Sequence, residues 1–200
     1  MNVLVTGFEP FKKEKVNPSW EVCRKLSEAE IEGTTITVRK LPVIFDEARK
    51  KAVEYCDEVN PDVIFHLGEA GGRTHISLER IAINCDDAQI KDNKGQKRDG
   101  KIIEQHGGDG YFTTIPAKEI VKALKKAGIP AVVSNSAGTY LCNHVFYGML
   151  HHVKRKNLPI KVGFIHLPYL PQQTVDKPGK ASMSLDVMVE AVKVAIEKCK

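Results

Sequence analysis

The side chain best suited to covalent chemistry is a cysteine at the junction of a strand-like and a helix-like segment. Cys142 follows the strand-like run Ile129–Ser134 and a turn of small residues, and apolar residues recur at helical spacing after it. A thiol in the first turn of a helix lies near unpaired N–H groups and the positive end of the dipole, which favours the thiolate. Because free cysteine is also among the most buried residue types, the pattern predicts either a prepared nucleophile or a packed thiol.

A cysteine nucleophile needs a base, and two histidines stand near the ends of strand-like segments where a base would be useful. His166 lies at the end of the apolar run Gly163–Leu167, just before Pro168, and His66 has a similar setting in Val63–Gly68. Both histidines are also consistent with a core position. The local pattern therefore leaves them as rival candidates for the base.

Acidic side chains provide candidates for the group that orients the base. Glu79 lies among the strand-forming residues Leu78, Ile81 and Ile83, and a carboxylate there would hydrogen-bond an imidazole and fix its tautomer. A surface ion pair is the alternative interpretation of Glu79. The segment Gly68–Arg73 follows a strand-like run and resembles a loop that offers backbone N–H groups to an anion.

The spacing of histidines and cysteines predicts neither a metal nor a cofactor. On a helix His144 would point away from Cys142, and His151 and His152 would lie about 100° apart. The sequence contains no H-E-x-x-H motif. A zinc ribbon or a disulfide framework is also not expected, because the cysteines are scattered without a C-x-x-C pair: Cys23, Cys56, Cys85, Cys142 and Cys199.

Composition excludes several other classes of protein. The 200 residues, 42% of them hydrophobic and 28% charged, are typical of one globular domain with a full core. The net charge of +5 comes from 30 basic and 25 acidic residues, and the basic runs are separated, so we expect no nucleic-acid partner. The chain starts without a signal-peptide pattern, and no apolar run reaches the roughly 18 residues that span a bilayer. We therefore expect a cytoplasmic protein without membrane contact.

Strand-like and helix-like segments alternate along most of the chain, which predicts an α/β fold with a largely parallel sheet flanked by helices. In such sheets, ligands bind beyond the carboxyl ends of the strands. The strand-like runs are Val3–Thr6, Thr35–Leu41, Val63–Leu67, Ala131–Asn135 and Val162–Leu167. The helix-like runs are Pro18–Glu28, Phe45–Val59, Pro116–Ala127, Thr139–Val153 and Leu185–Glu197.

One region departs from this alternation. The segment Ile76–Asn84 is predicted as an additional strand, because its apolar and polar residues partly alternate. Residues 85–110 are polar and have no clear period, which indicates a long excursion that serves as a lid or a subunit contact. We expect this excursion to lie inside a single domain of residues 1–200.

Taken together, five segments resemble pyroglutamyl-peptidase I, or pyrrolidone-carboxylate peptidase, a family of intracellular cysteine peptidases. They occur in the order and spacing of that family: Val5–Phe11, Val16–Ser19, Glu79–Asn84, Ser136–Asn143 and Gly163–Tyr169. The resemblance implies an α/β/α sandwich with a twisted, mostly parallel sheet. It also implies peptides with N-terminal pyroglutamate as substrates, and a homo-oligomer, commonly a tetramer.

The resemblance further implies roles for individual residues. Cys142 would be the nucleophile of an omega-peptidase that forms a thioester, His166 the general base, and Glu79 the group that orients it. A pocket for the pyroglutamyl ring would have apolar walls, with Asn17 and Glu69 as its polar substrate-binding positions. The wall positions are Phe8, Phe11, Val43, Ile90, Tyr140 and Leu141.

Three departures from the family pattern keep other functions open. Lys12-Lys13 stand where the family usually has two glycines, Glu69 where it often has Gln or Leu, and Gln89 where it usually has Arg. A carboxylate at position 69 would accept the N–H of a lactam but repel its carbonyl. The alternatives are a catalytically weak pyroglutamyl-binding protein, and a thiol amidase or thioesterase that acts on other acyl groups.

Overall fold

A computed structural model of the chain describes residues 1–12 and 14–200. Its strands are β1 (Asn2–Phe8), β2 (Thr35–Leu41), β3 (Val63–Glu69), β4 (Ile76–Glu79), β5 (Ile81–Ile83), β6 (Gly110–Phe112), β7 (Ala131–Ser134) and β8 (Lys161–Leu167). Its helices are α1 (Pro18–Leu26), α2 (Glu47–Val59), α3 (Ala117–Lys126), α4 (Leu141–Arg155), α5 (Pro171–Thr174) and α6 (Leu185–Glu197). The order of the elements preserves the predicted alternation of strands and helices for most of the chain.

Six strands form the central sheet, in the order β2-β1-β3-β8-β4-β7. Strands β2, β1, β3 and β8 run parallel, whereas β4 runs antiparallel to β8 and parallel to β7. Strands β1, β3 and β8 are buried along almost their whole length, as expected for strands covered on both faces. The predicted α/β fold with a mostly parallel sheet is confirmed.

Helices cover both faces of the sheet and bury two separate cores. Helices α1, α3 and α6 pack on one face, and α2 and α4 pack on the other. Local signals set the helix ends: Asn17 accepts a hydrogen bond from Ser19 N at the start of α1, and Ser184 caps α6. Gly128 follows α3 with a φ of 75°, a left-handed conformation that glycine adopts without strain.

The predicted strand over Ile76–Asn84 is in fact two strands, separated by Arg80. Strand β4 joins the central sheet, while β5 pairs with β6 in a separate two-stranded sheet. Strand β6 and helix α5 have only three and four residues, too few to show a period in the sequence. The polar excursion lies between β5 and β6, where Asp86 pairs with Lys101.

Within residues 1–12 and 14–200, every helix is too short or too polar to span a lipid bilayer.

Candidate active site

A buried histidine–carboxylate pair lies between two neighbouring strands of the central sheet. His166 is near the carboxyl end of β8, and its Nδ1 is 2.8 Å from Glu79 Oε1 at the end of β4. Glu79 is fully buried and His166 is 4% exposed. Because a carboxylate only accepts hydrogen bonds, this contact puts a proton on Nδ1 and leaves Nε2 free to accept one.

The carboxylate of Glu79 is held in its ionised form. Burial by itself would raise the pKa of Glu79, but its hydrogen-bonding and charged neighbours, His166 foremost, lower the pKa below its ordinary value. Arg73, from the loop after β3, donates to Glu79 Oε1 at 3.0 Å. An ionised Glu79 both fixes the orientation of the imidazole and stabilises its protonated form.

Cys142 lies on the same face of the sheet as this pair. A methyl group at Gly68 would come within 2.8 Å of Cys142 Sγ, so the sulfur lies directly over this glycine of β3. In the parallel pairing of β3 with β8, Gly68 is the register partner of His166. Since partners in register project to the same face of a sheet, the sulfur and the imidazole are neighbours above it.

Helix α4 presents Cys142 with unpaired backbone donors around it. Cys142 is the second residue of α4, and the first backbone hydrogen bond of the helix runs from His144 N to Tyr140 O. The backbone N–H groups of Leu141, Cys142 and Asn143 donate to no other described residue. These groups are positioned to stabilise negative charge that develops next to the sulfur.

The surroundings of Cys142 oppose the ionisation that the start of a helix is expected to favour. Burial, followed by the nearby carboxylates of Glu79 and Glu69, raises the pKa of Cys142 to about 12. Arg73 opposes this shift only in part. The dipole at the helix terminus is opposed by the burial of the sulfur and by the charges of the two carboxylates. These surroundings favour the protonated thiol, so the reaction needs a base that removes its proton.

The rival histidine of the sequence analysis has a different environment. His66 is fully buried, its Nδ1 is 2.7 Å from Thr6 Oγ1, and its Nε2 has no hydrogen-bond partner among the described residues. Burial lowers the pKa of His66 to about 3, so it is neutral at physiological pH. In the described part of the chain, His66 has no carboxylate partner of the kind that Glu79 provides to His166.

A small cavity opens at Cys142. Its volume is 170 Å³, below the ~300–1,000 Å³ of pockets for drug-sized ligands, so it suits a small group. The structure brings all the predicted pocket positions together around it: Phe8, Phe11, Asn17, Val43, Glu69, Ile90, Tyr140 and Leu141, together with Cys142. The aromatic walls contact one another, with Tyr140 5.6 Å from Phe11 between ring centroids.

Three functional contacts were missed from the sequence. Besides Arg73, Gln173 of α5 donates to Glu69 Oε2 at 2.8 Å, which fixes the carboxylate at the cavity wall. The side chain of Asn143 bonds both backbone groups of Ile83, which ties the start of α4 to β5. The sequence gives one indication of the Arg73 contact, because Arg73 directly follows the Gly71-Gly72 turn. The other two contacts join segments that are remote in sequence, so no local pattern predicts them.

None of the described histidines is part of the cavity wall. Nδ1 of His144 is 2.8 Å from the buried Asp86, which agrees with the prediction that His144 points away from the thiol. Among the described residues, one group has the spacing of potential metal ligands: Cys56, Asp57 and His152 have donor atoms within 4.8 Å of one another. Lys156 already contacts that aspartate, and none of these residues lines the cavity.

Comparison with known proteins identifies the family. A family model described as pyroglutamyl peptidase matches residues 1–200. The chain belongs to the pyroglutamyl peptidase family. It is 51% identical over 197 residues to pyrrolidone-carboxylate peptidase 1 of Caldanaerobacter subterraneus subsp. tengcongensis, a match that covers 98% of this chain and 97% of that protein. It is 48% identical to the pyrrolidone-carboxylate peptidase of Yersinia pestis (strain Pestoides F), with 97% of this chain and 90% of that protein covered.

Solved structures of the pyroglutamyl peptidase family have the same fold. A mutant pyrrolidone carboxyl peptidase from Pyrococcus furiosus matches with a TM-score of 0.96 at 46% identity, covering 100% of this chain and 98% of that one. The pyroglutamyl peptidase I of Bacillus amyloliquefaciens matches with a TM-score of 0.96 at 42% identity, covering 99% and 94%. The resemblance to this family of cysteine-type hydrolases, noted in the sequence, is confirmed.

Of the positions that depart from the pyroglutamyl peptidase pattern, the described ones lie at the cavity wall or next to a residue that lines it. Glu69 is in its wall, and Gln89 is an exposed neighbour of the lining residue Ile90. Lys12 has a φ of 57° and its ammonium lies 5.3 Å from the centroid of the Phe11 ring. Lys13 lies outside the described residues.

Proposed function

We propose that the protein is a cysteine omega-peptidase that removes pyroglutamate from the N-terminus of peptides. The observation that carries this proposal is the small cavity that ends at Cys142, next to the buried pair His166–Glu79. Membership of the pyroglutamyl peptidase family supports the same substrate class. Cys142 is the nucleophile, His166 the base, and Glu79 the residue that positions the base.

The chemistry of pyroglutamate suits this cavity. Its ring is a lactam, so a peptide that begins with it has no terminal ammonium and needs no counter-ion. Most of the cavity wall is apolar, and its 170 Å³ limit the bound group to about the size of one compact ring. An ordinary amino terminus would have to leave its water shell to enter, at a free-energy cost that a neutral ring avoids.

The first half of the reaction forms a thioester. The thiol of Cys142 gives its proton to Nε2 of His166 as the sulfur attacks the carbonyl carbon that joins pyroglutamate to the next residue. The unpaired N–H groups at the start of α4, that of Cys142 included, stabilise the oxyanion by roughly 3 kcal/mol per donor. His166 then donates its proton to the nitrogen of the leaving peptide, and the C–N bond breaks.

The second half of the reaction restores the enzyme. His166 accepts a proton from a water molecule as the water oxygen attacks the thioester carbonyl. The C–S bond breaks, pyroglutamate leaves, and the sulfur regains a proton from the imidazolium. Glu79 stabilises the imidazolium in both halves through its contact with Nδ1.

Three further expectations belong to this proposal. Residues 1–200 act as one peptidase domain, and the protein works in the cytoplasm, where the nucleophile stays reduced; every cysteine of the chain is a free thiol. It assembles as a homotetramer, for which exposed apolar side chains such as Phe112 (66% exposed) and Val175 (78%) supply contact area. Light scattering coupled to size-exclusion chromatography tests the assembly.

The activity is tested with a fluorogenic pyroglutamyl amide in reducing buffer. We expect the wild-type protein to release the fluorophore, and the Cys142→Ala variant to release none. Cys85→Ala is the matched control, because Cys85 is also a partly exposed free thiol but does not line the cavity, and it should retain activity. Activity that survives in Cys142→Ala, or equal cleavage of the amide of free N-terminal glutamate, would refute the proposal.

A further inference from the structure

Arg73, in the loop after β3, is a cation beside the catalytic pair that leaves most of its hydrogen-bonding capacity unused. One of its Nη atoms donates to Glu79 Oε1 at 3.0 Å, and its side chain is 33% exposed. A guanidinium carries five N–H donors, and no other described residue accepts a hydrogen bond from this one. The contact with Glu79 therefore holds the guanidinium in place and leaves N–H groups for a ligand.

The position of Arg73 relates to the half of the substrate that leaves. The pyroglutamyl ring occupies the cavity that ends at Cys142, and Arg73 is not part of the wall of that cavity. Its charge nevertheless acts to lower the pKa of Cys142, and its partner Glu79 bonds Nδ1 of His166. Since His166 donates a proton to the nitrogen of the departing peptide, Arg73 lies on the side of the scissile bond where that peptide leaves.

A second cation lies against the same loop. The loop is attached to the chain directly after His166, because Ala70 N donates to Leu167 O at 2.8 Å. A methyl group at Gly72 would lie 3.8 Å from Lys180 Cδ, so the stem of this lysine runs along the loop. Lys180 is exposed, and no carboxylate in the described part of the chain forms an ion pair with it. The loop thus carries two positive charges next to each other.

The negative charge of Glu79 does not neutralise this side of the site. Glu79 Oε1 accepts from His166 as well as from Arg73. When the imidazole takes up the thiol proton, one carboxylate faces two cations. A further negative charge on the leaving peptide would compensate the positive charge that remains.

We propose that Arg73, assisted by Lys180, binds a carboxylate of the first residue after pyroglutamate, and that the enzyme therefore prefers leaving peptides with a negative charge at that residue. The inference rests on the proposed function, because it concerns the other half of the same substrate. Two kinds of substrate carry such a group. One is a pyroglutamyl dipeptide, whose C-terminus lies on that residue, and the other is a longer peptide with aspartate or glutamate there.

The expected size of the preference follows from the exposure of Arg73. A guanidinium binds a carboxylate through two parallel N–H···O bonds, and the contact with Glu79 holds it in place before the substrate arrives. Because one third of the side chain is exposed, water screens the pair, and we expect about fivefold in kcat/KM. A leaving peptide that begins with lysine or arginine meets two like charges and should be cleaved more slowly.

The test uses two pairs of substrates that differ only in charge. One pair is pyroglutamyl-alanine and its C-terminal amide, and the other is pyroglutamyl-aspartyl amide and pyroglutamyl-asparaginyl amide. Cleavage is followed with an amine-reactive fluorophore, since the uncleaved substrates have no amino group. We expect wild type to prefer the charged member of at least one pair about fivefold, and the pair that responds identifies the source of the carboxylate.

Variants separate this role of Arg73 from its support of Glu79. Arg73→Gln lowers the rate on every substrate, but the ratio of kcat/KM within a pair should fall to about 1, whereas Arg73→Lys should keep part of the preference. Raising the ionic strength from about 0.1 M to 1 M shortens the Debye length from about 10 Å to 3 Å and should weaken the preference in wild type. A purely structural role would change neither the ratio nor its dependence on salt.

Arg39→Gln is the matched control. The side chain of Arg39 is 34% exposed and donates to Glu58 Oε1 at 2.6 Å, but it belongs to the edge strand β2 and lies outside the cavity wall. This variant should keep both the activity and the ratio of wild type. Equal cleavage of the charged and neutral members of both pairs by wild type, or a preference that survives in Arg73→Gln, would overturn the inference.

A binding measurement distinguishes failure of this inference from failure of the proposed function. Pyroglutamyl-alanine and its amide are titrated calorimetrically into Cys142→Ala and into Cys142→Ala with Arg73→Gln, and pyroglutamyl-aspartyl amide is titrated in the same way. We expect the second variant to bind the charged ligands about fivefold more weakly and the neutral amide unchanged. Cleavage of all four substrates without a preference for charge overturns the role of Arg73 alone. Binding that depends on Arg73, in a protein that cleaves none of them, refutes the peptidase proposal but keeps the assignment of Arg73.

Discussion

Glu79→Gln is the substitution that separates two effects of one carboxylate. Glu79 accepts hydrogen bonds from Nδ1 of His166 at 2.8 Å and from Arg73 at 3.0 Å, and its charge raises the pKa of Cys142. The glutamine variant keeps the shape of the side chain but removes the charge. We therefore expect the thiol to become easier to ionise while the enzyme becomes slower.

The size of the loss follows from the contacts. A hydrogen bond to a charged group contributes up to about 3 kcal/mol, which corresponds to roughly 10²-fold in rate if the imidazolium alone loses it. An amide also supports the wrong imidazole tautomer, and the equivalent change in a serine peptidase triad lowers kcat by about 10⁴-fold. The expected loss of kcat/KM for the pyroglutamyl amide therefore lies between about 10² and 10⁴.

Two assays and one control decide the matter. Steady-state kinetics measures the loss of kcat/KM. The pH dependence of alkylation by iodoacetamide measures the pKa of the Cys142 thiol, and peptide mass spectrometry distinguishes alkylation of Cys142 from alkylation of the other cysteines. The control is Asp86→Asn, since Asp86 is an equally buried carboxylate that lies 2.8 Å from a histidine Nδ1 but outside the cavity wall. Equal losses in both variants, or a thiol pKa that rises in Glu79→Gln, would refute the reasoning.

Three further outcomes follow from the geometry and the pKa shifts. Gly68→Ala places a methyl group 2.8 Å from Cys142 Sγ, which must move the sulfur. Because a displacement of a catalytic group by about 1 Å can cost roughly 10²-fold in rate, kcat should fall by that order while the circular dichroism spectrum stays unchanged. An unchanged kcat would contradict the position of the sulfur. Burial raises the pKa of Cys56 and Cys199 to about 11 and that of Cys142 to about 12, so these thiols ionise at lower pH in the unfolded chain than in the folded protein. The free energy of unfolding should therefore decrease as pH rises above about 8.5, and a melting temperature that stays constant from neutral pH into this range would count against the reasoning. Burial lowers the pKa of His66 to about 3, so below about pH 6.5 this histidine is protonated in the unfolded chain but not in the folded protein. The free energy of unfolding should therefore fall as pH drops below about 6.5, and fall less in His66→Asn; equal acid sensitivity of wild type and His66→Asn would be the contrary result.

The sequence predicts much of the fold because its signals are local. Apolar runs in β1, β3 and β8 indicate covered strands, and Pro18 and Ser184 mark where helices begin. The direction of β4 and β7 is not encoded locally. It follows from the pairing of Ser77 with His166, two residues that are remote in the chain.

The site is predictable to the extent that its chemistry depends on residue type. Cys142 stands out through its place at a helix start, but His166 and His66 look alike in their own segments. What distinguishes them is the contact with Glu79, 87 positions away from His166. The state of the thiol is equally non-local, because its raised pKa depends on enclosure and on Glu79 and Glu69.

The central claim is that the sulfur of Cys142 becomes acylated by pyroglutamate during turnover. Rapid mixing of excess pyroglutamyl amide with the enzyme, followed by an acid quench and peptide mass spectrometry, measures this directly. The account predicts one pyroglutamyl group on the peptide that contains Cys142, and its loss on longer incubation as the thioester is hydrolysed. Turnover with no adduct on that peptide, under conditions where Cys142→Ala cleaves the amide as fast as wild type, would contradict it.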